Sequence, residues 1–342
     1  MVKEHGVSIN TVQKALNELA RDGFVVAQGT RGTFVAGQLP HLARCGIVFP
    51  RLSDRDDHDL HKPYYAALLT EALRCRQRND LELKIYEKVT GHIDDPQSRQ
   101  LLEDVHRCRL AGLIVTSPMV FIDTAVAQLW KQDLPVVWTS DYTPSRNILS
   151  VHLANNRMIE QVMDHFVACG RRRVAVLGTG LWLRDVTLAA LAARGLETRP
   201  SWLQSVHPMG REAARGVMRL LLEAREVPDA LWIADDSLVE PATAGLRDGG
   251  ARVPEDIEVV AHANFPHPTL SHVPSRRIGF DVRDVLAESM ELIRRRRAGE
   301  TVQRITEIAP VWEGELNPKP VRESASACKV EGGSEARLGA VL

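Results

Sequence analysis

Near its start the chain carries a helical pattern. Between Val7 and Gly23 the apolar positions Val12, Ala15, Leu16 and Leu19 recur at i, i+3, i+4 and i+7, which predicts one helix with a single buried stripe. Asn10, Gln13, Lys14 and Asn17 fill the other face, which is polar and only lightly charged. Ser8 or Asn10 can cap this helix, because a short side-chain oxygen accepts from the free amides of the first turn. Gly23 stands where a helix stops. Two short apolar runs, Phe24–Ala27 and Thr33–Ala36, then flank Gln28-Gly29-Thr30-Arg31-Gly32, the pattern of a β-hairpin. Gly37–His41, with Pro40, reads as a linker, and we place the join between head (1–38) and body at 39–42.

Beyond the linker the period changes to strand, helix, strand. The strands expected are Cys45–Phe49, Leu81–Tyr86, Gly112–Thr116 and Pro135–Thr139, with helices at Pro63–Asn79, Asp95–Arg107 and Asp123–Lys131. The same grammar then repeats. Helices Asn155–Cys169, Arg184–Arg194, Gly210–Ala224 and Leu238–Asp248 alternate with strands Arg173–Leu177, Ala230–Ala234 and Ile257–Ala261. Such alternation implies an α/β architecture of doubly wound parallel sheets with helices on both faces. A last helix, about Gly279–Arg297, and a strand Ile305–Pro310 follow a crossover near His272–Ser275. Residues 317–342 are rich in Ser, Gly, Glu and Pro with few large apolar side chains, the composition of a disordered tail.

Composition narrows the classes. The 342 residues suggest about two domains, and 44% apolar with 25% charged residues is the balance of a globular protein. The longest uncharged apolar stretch, Ala111–Ile122, is broken by Pro118 and falls short of the ~20 residues that span a bilayer. No secretory leader is expected at the start, and five scattered cysteines without a C-x-x-C pair suit a reducing cytoplasm. Net charge is −1, but it is unevenly distributed. Residues 1–44 hold five basic and three acidic side chains, whereas the remainder holds 38 and 41. A mildly basic head on a mildly acidic body is the asymmetry expected when only the head meets nucleic acid.

These residues resemble two families joined in one chain. Ser8-x-x-Thr11-Val12-x-Lys14-Ala15-Leu16-x-x-Leu19-x-x-x-Gly23, followed by Gly29-x-x-Gly32-Thr33-Phe34-Val35, resembles the GntR-type winged helix-turn-helix. The likeness is N-terminally incomplete, since a full winged helix needs about 30 more residues than stand before Ser8. Residues 43–316 resemble the LacI/GalR-type effector domain, a periplasmic-binding-protein-like fold of two lobes. The marks are Gly112–Val115, Leu134–Val137, Gly170-x-Arg172-Arg173-Val174-Ala175, Pro228-Asp229-Ala230-Leu231-x-x-Ala234-Asp235-Asp236-Ser237-Leu238 and Gly250-x-x-Val253-Pro254-Glu255-Asp256-Ile257. The expected lobes are about 43–148 with 276–303, and 149–275 with 304–316. The pairing resembles arabinose-responsive repressors. It implies a repressor that binds double-stranded operator DNA as a homodimer under a sugar- or polyol-like effector, with no cofactor and no membrane partner. The chain departs from the family at Ile9 and Gln13, where basic residues are common, and at Ala154, Leu183 and Ala263-Asn264, where polar ligand contacts are usual. The effector therefore need not be an ordinary sugar.

The candidate DNA-facing set is Ser8, Asn10, Thr11, Gln13, Lys14, Arg31, Gly32 and Thr33. Asn10 or Gln13 can pair with an adenine edge, Lys14 suits a phosphate, and Arg31 at the wing tip suits a minor groove or phosphate. A solvated helix face and a plain hairpin are the competing reading. The candidate effector set is Tyr64, Tyr65, Asp141, Trp182, Arg184, Asp235, Asp236 and Asn264, near the carboxyl ends of the strands where open α/β sheets bind ligands. Asp236 can instead cap the Leu238–Asp248 helix, and Tyr64 and Trp182 can instead belong to the core. Asp54, Asp56, Asp57, His58, Asp59 and His61 form an acidic loop at the cleft lip. His262, His267 and His272 match no common metal-ligand spacing, and Arg294–Arg297 suits the negative end of a helix. No G-x-S-x-G, H-E-x-x-H or Walker sequence is present, so no enzyme reading acquires a nucleophile or metal centre. A solute-binding protein without DNA activity is the alternative.

Overall fold

The computed structural model describes residues 6–50, 63–75, 82–116, 134–139, 148–179, 184–207 and 210–316. Among the described residues the first element of the head is α1 (Ile9–Asp22). Ser8 in extended backbone caps it, its Oγ accepting from Thr11 N at 3.2 Å. Gly23 ends it at φ +87°, a left-handed conformation a side chain would strain. Strands β1 (Val25–Ala27) and β2 (Thr33–Val35) pair antiparallel with Val26 opposite Phe34, and a single 3-10 turn, Gly29–Arg31, forms the tip.

The stripe on α1 differs from the expectation. Val12 and Leu16 are half-buried, while Ala15 and Leu19 are exposed, because one helix against a two-stranded ribbon covers only part of an apolar face. The linker differs too. It folds into a one-turn helix, α2 (Pro40–Ala43), with proline at its first position, where the missing N–H costs nothing. Pro40 is buried, and the Phe24 and His41 rings stack with centroids 5.8 Å apart. Head and body are therefore joined by ordered, packed chain.

Among the described residues the body contains two six-stranded sheets. The first runs β13-β7-β6-β5-β3-β4, formed by β3 (Arg44–Pro50), β4 (Glu82–Val89), β5 (Gly112–Val115), β6 (Val136–Trp138), β7 (Leu149–Leu153) and β13 (Ile305–Ile308), all parallel. The second runs β14-β12-β11-β10-β8-β9. It comprises β8 (Val174–Gly178), β9 (Leu203–Ser205), β10 (Ala230–Ile233), β11 (Glu258–Phe265), β12 (Arg276–Asp281) and β14 (Val311–Trp312); only β14 is antiparallel. Helices α3 (Pro63–Cys75), α4 (Pro96–His106) and α9 (Val282–Arg297) flank the first sheet. Helices α5 (Asn155–Ala168), α6 (Arg184–Ala193), α7 (Ala213–Glu223) and α8 (Val239–Asp248) flank the second. Strands such as Ile47–Phe49 and Leu231–Ile233 are wholly buried because both sheet faces are covered, which is why they read as unbroken apolar runs.

The lobe boundaries need correction. Leu149–Leu153 and Ile305–Ile308, expected in lobe 2, pair with each other in the first sheet. Arg276–Asp281, expected in lobe 1 and partly as helix, is a strand of the second sheet. The chain thus crosses between lobes after β7, after β12 and after β13. Local pattern specifies a strand but not the sheet it joins, so these exchanges were not legible. The helix expected at Asp123–Lys131 and the tail 317–342 lie outside the described residues. Among the described residues no helix is long and apolar enough to cross a membrane.

Candidate functional site

Parallel strands deliver their carboxyl ends to one edge of each lobe, and those edges carry the polar residues. In lobe 1, Thr116 follows β5 and Thr139 follows β6, both buried. Tyr64 and Tyr65 lie in the first turn of α3 with ring centroids 5.6 Å apart, and the Tyr65 hydroxyl donates to the Thr116 carbonyl at 3.5 Å. In lobe 2, Thr179 follows β8, Asp235-Asp236 follow β10, and Asn264 and Asp281 close β11 and β12.

The two adjacent aspartates divide the roles that had been weighed for one. Asp235 is the cap: its carboxylate accepts from Ser237 N at 2.9 Å, Ser237 Oγ at 2.5 Å and Thr179 Oγ1 at 2.5 Å. The capping role expected of Asp236 therefore falls one residue earlier, on a 3-10 turn (Asp236–Leu238) that leads into α8. Asp236 is buried and receives the Asn264 side-chain amide. Burial and the neighbouring Asp235 push its carboxyl up to about 8. Beside it the Asn264 Oδ1 and His262 Nε2 are buried without a hydrogen-bond partner among the described residues. Burial drives His262 down to about 4, so its imidazole stays neutral. Asp236, Asn264 and His262 are therefore polar but uncharged, suited to a hydroxyl-bearing or amide-bearing ligand, while the Asp235 carboxylate is engaged by Ser237 and Thr179.

The lobes are tied together at this edge. Glu71 of α3, only 3% exposed, accepts from His267 Nε2 at 2.8 Å and from Arg74 Nη1 at 2.9 Å. Arg283 forks onto Asp281, with its Nη2 2.6 Å from the carboxylate. Sequence reasoning considered His267 only as a metal ligand, and nothing local links it to a glutamate 196 residues away. His272 instead lies near Arg247 and its amide donates to Thr243 Oγ1, so the three histidines do not converge. Arg184 opens α6 and stands exposed. Asp141, Trp182 and the acidic loop 54–61 lie outside the described residues.

On the head, Ser8, Asn10, Thr11, Gln13, Lys14 and Arg31 are exposed, while Gly32 and Thr33 are half-buried. Gln13 donates to Asn17 Oδ1 at 3.0 Å, one turn along the same face. The opposite end of α1 is anchored. Arg107 Nη1 lies 2.8 Å from Glu18 and 3.4 Å from Asp22, and Arg109 Nη2 pairs with Asp22. Arg109 Nη1 also donates to Asp104 Oδ1 at 2.9 Å. Asp104 is wholly buried and additionally takes Lys84 Nζ, Tyr86 Oη at 2.5 Å and Gln100 Nε2 at 3.0 Å. Burial works to raise the carboxyls of Asp22 and Asp104, but these cationic and hydrogen-bonding partners outweigh it and hold both below the usual range. A cavity of about 360 Å³ opens beside this network, walled by Arg21, Arg44, Lys84 and Glu103 among others. Sequence reasoning missed the anchor entirely. Arg107 and Arg109 flank Cys108, whose φ of +53° turns the chain after α4.

Comparison with known proteins bears on the whole arrangement. Residues 163–311 match the family model described as a periplasmic binding protein-like domain. The chain is 27% identical over 182 residues to the transcriptional repressor PurR of Aliivibrio fischeri, covering 51% of each protein. It is 24% identical over 230 residues to catabolite control protein A of Priestia megaterium, covering 64% of this chain and 68% of that protein. A weaker likeness, 21% over 352 residues, to the arabinose metabolism transcriptional repressor of Halalkalibacterium halodurans covers 97% of this chain and 91% of the relative. The alignment to the Aliivibrio repressor thus spans about half that protein's length. Among solved structures, the regulator CelR in complex with cellobiose superposes with a TM-score of 0.59 at 19% identity, over 90% of both chains. CcpA of Lactococcus lactis gives 0.58 at 16% identity, over 79% of this chain and 97% of that one. The body of this protein, with its paired parallel sheets and triple crossover, has the fold of the periplasmic-binding-protein-like effector domains of LacI-type regulators.

Proposed function

We propose that the protein is a DNA-binding transcriptional repressor controlled by a small polar effector held between its lobes. The observation that carries this reading is the disposition of α1. Its N-terminal polar face and the hairpin tip are exposed, whereas its C-terminal acids are ion-paired to lobe 1. A helix held at one end and free at the other suits insertion into a major groove. The head, 1–38, is read as a winged helix of GntR type, supported by the Ser8 cap, the Gly23 stop and the β1–β2 wing. The near full-length likeness to the Halalkalibacterium repressor favours a repressor role for the whole chain. Asn10, Thr11 and Gln13 would meet base edges, Lys14 phosphate, and Arg31 with Gly32 and Thr33 the groove beside the wing.

The effector would lie against Tyr64, Tyr65, Asp235, Asp236 and Asn264; Asp141, Trp182 and Arg184 complete the proposed set. Sugars and polyols suit hydrogen-bonding groups such as Asp236 and Asn264 together with the Tyr64 and Tyr65 rings. The protein would act as a homodimer in the cytoplasm. Lobe closure would change the spacing of two heads whose half-sites lie about one helical turn apart. No group here is assigned a catalytic role. Fluorescence anisotropy with the DNA upstream of its own gene tests the reading. Lys14→Ala with Arg31→Ala should weaken binding and lower the slope of log affinity against log salt by about 2. Unchanged affinity and slope would refute the assigned contacts.

A further inference from the structure

We propose that His165, Cys169 and Glu258 form a binding site for a divalent transition-metal ion of the zinc class, at the end of lobe 2 remote from the effector crevice. His165 and Cys169 are spaced i, i+4 at the C-terminus of α5, so both side chains leave the same helix face. Glu258 opens β11 and reaches that face from the sheet. The His165 Nε2 lies 2.9 Å from Glu258 Oε1 and 3.5 Å from Cys169 Sγ, and the three ligand atoms fall within 4.8 Å of one another.

These separations can be compared with what an ion requires. Tetrahedral zinc with bonds of about 2.0–2.1 Å to nitrogen, 2.3 Å to sulfur and 2.0–2.2 Å to oxygen sets N···S near 3.5 Å and N···O near 3.3 Å. The first matches, and the second needs an opening of a few tenths of an ångström. Cys169 Sγ is also 3.7 Å from Nδ1, so a turn about its Cα–Cβ bond is needed to bring the sulfur beside Nε2 alone. The site is built rather than incidental surface. His165 and Glu258 side chains are 10% and 14% exposed, and the His165 ring packs 5.3 Å from Trp312 of β14. Cys169 is exposed and gives the ion an entry path. Thiolate, imidazole and carboxylate together favour zinc-like ions over magnesium or calcium, which take oxygen. On binding, the thiol proton goes to solvent, the proton shared by His165 Nε2 and Glu258 leaves Nε2 with Nδ1 carrying the imidazole's remaining proton, and metal bonds replace the His165–Glu258 hydrogen bond. A water completes the tetrahedron. Glu258 and Asn264 are six residues apart on one strand, about 20 Å at strand rise, so this site is separate from the crevice.

Cobalt(II), added to the reduced full-length protein, is the probe. One equivalent should give the thiolate-to-cobalt charge-transfer band and the intense visible bands of a four-coordinate ion, and zinc should displace it. Cys169→Ser, at an exposed position, should abolish the charge-transfer band with the circular dichroism spectrum unchanged. Glu258→Gln should weaken cobalt at least tenfold, and Cys108→Ser should leave binding as it was. Absence of the band, its persistence in Cys169→Ser, or its loss in Cys108→Ser would each overturn the proposal.

Discussion

Replacing Asp22 by Asn cuts the only acidic contact that Arg109 makes with the head among the described residues, while leaving Asp104 its Lys84, Tyr86 and Gln100 partners. The size of the effect follows from what covers the pair. Asp22 is 9% exposed and Arg109 12%, which at first suggests the roughly 3–5 kcal/mol of a broken buried pair. Asp22 is also bound by Arg107, however, which is 38% exposed, so solvent lies close to the cluster. At an effective dielectric near 20 the Coulomb attraction is about 4 kcal/mol at 4 Å, and desolvation and side-chain ordering offset part of it, leaving a coupling of about 1–2 kcal/mol. That is about a 5- to 30-fold change in the equilibrium between docked and released head. A double-mutant cycle of Asp22→Asn and Arg109→Met, read by amide hydrogen exchange in α1 and by urea unfolding, isolates the pairwise term. The cycle should return a coupling of that size, and exchange in α1 should rise in both single variants. Additive effects, with α1 protected as before, would refute the claim that this pair fixes the head.

Several other outcomes are expected. Asp236, raised to about 8 in the fold against 3.8 unperturbed, holds a proton that the unfolded chain has already lost, so its contribution lowers stability as pH rises from about 4 to about 8. Asp236→Asn should flatten that part of the urea midpoint against pH; an unaltered profile would show that Asp236 is ionised in the fold. His262, lowered to about 4, acts at the other end, costing stability as pH falls from 6.5 towards 4, and His262→Phe should remove that loss. Gly245→Ala places a methyl 2.4 Å from the Arg215 carbonyl where α7 and α8 cross, and should cost about 1–3 kcal/mol in urea unfolding. Ser8→Ala removes the α1 cap and should cost about 1 kcal/mol of helix stability, seen as faster exchange in its first turn.

How far the sequence could be read depends on the range of the interactions. The head is written in local signals: Ser8 and Gly23 bound α1 as expected, and the glycines around Arg31 shape the wing tip. The parallel strands also read directly, because burial on both faces leaves an unbroken apolar run at Ile47–Phe49 or Leu231–Ile233. The exchanges between lobes did not, since β7 and β12 carry the same local pattern as strands that stay within their lobe. The site was half legible. Asp236 and Asn264 do meet, but the cap belongs to Asp235, since one residue of register decides which carboxylate faces the Ser237 amide. The Arg109–Asp22 and Glu71–His267 pairs join residues 87 and 196 positions apart, and no spacing rule reaches that far.

Ligand between the lobes should change the head's hold on DNA. This coupling is tested most directly by titrating labelled upstream DNA with the full-length protein, alone and with each member of a sugar and polyol panel at saturation, ligand binding being checked by calorimetry. A ligand that binds should shift DNA affinity about 5- to 150-fold, and DNA should shift that ligand's affinity by the same factor. A ligand that occupies the protein while the two DNA curves superimpose would contradict the coupling.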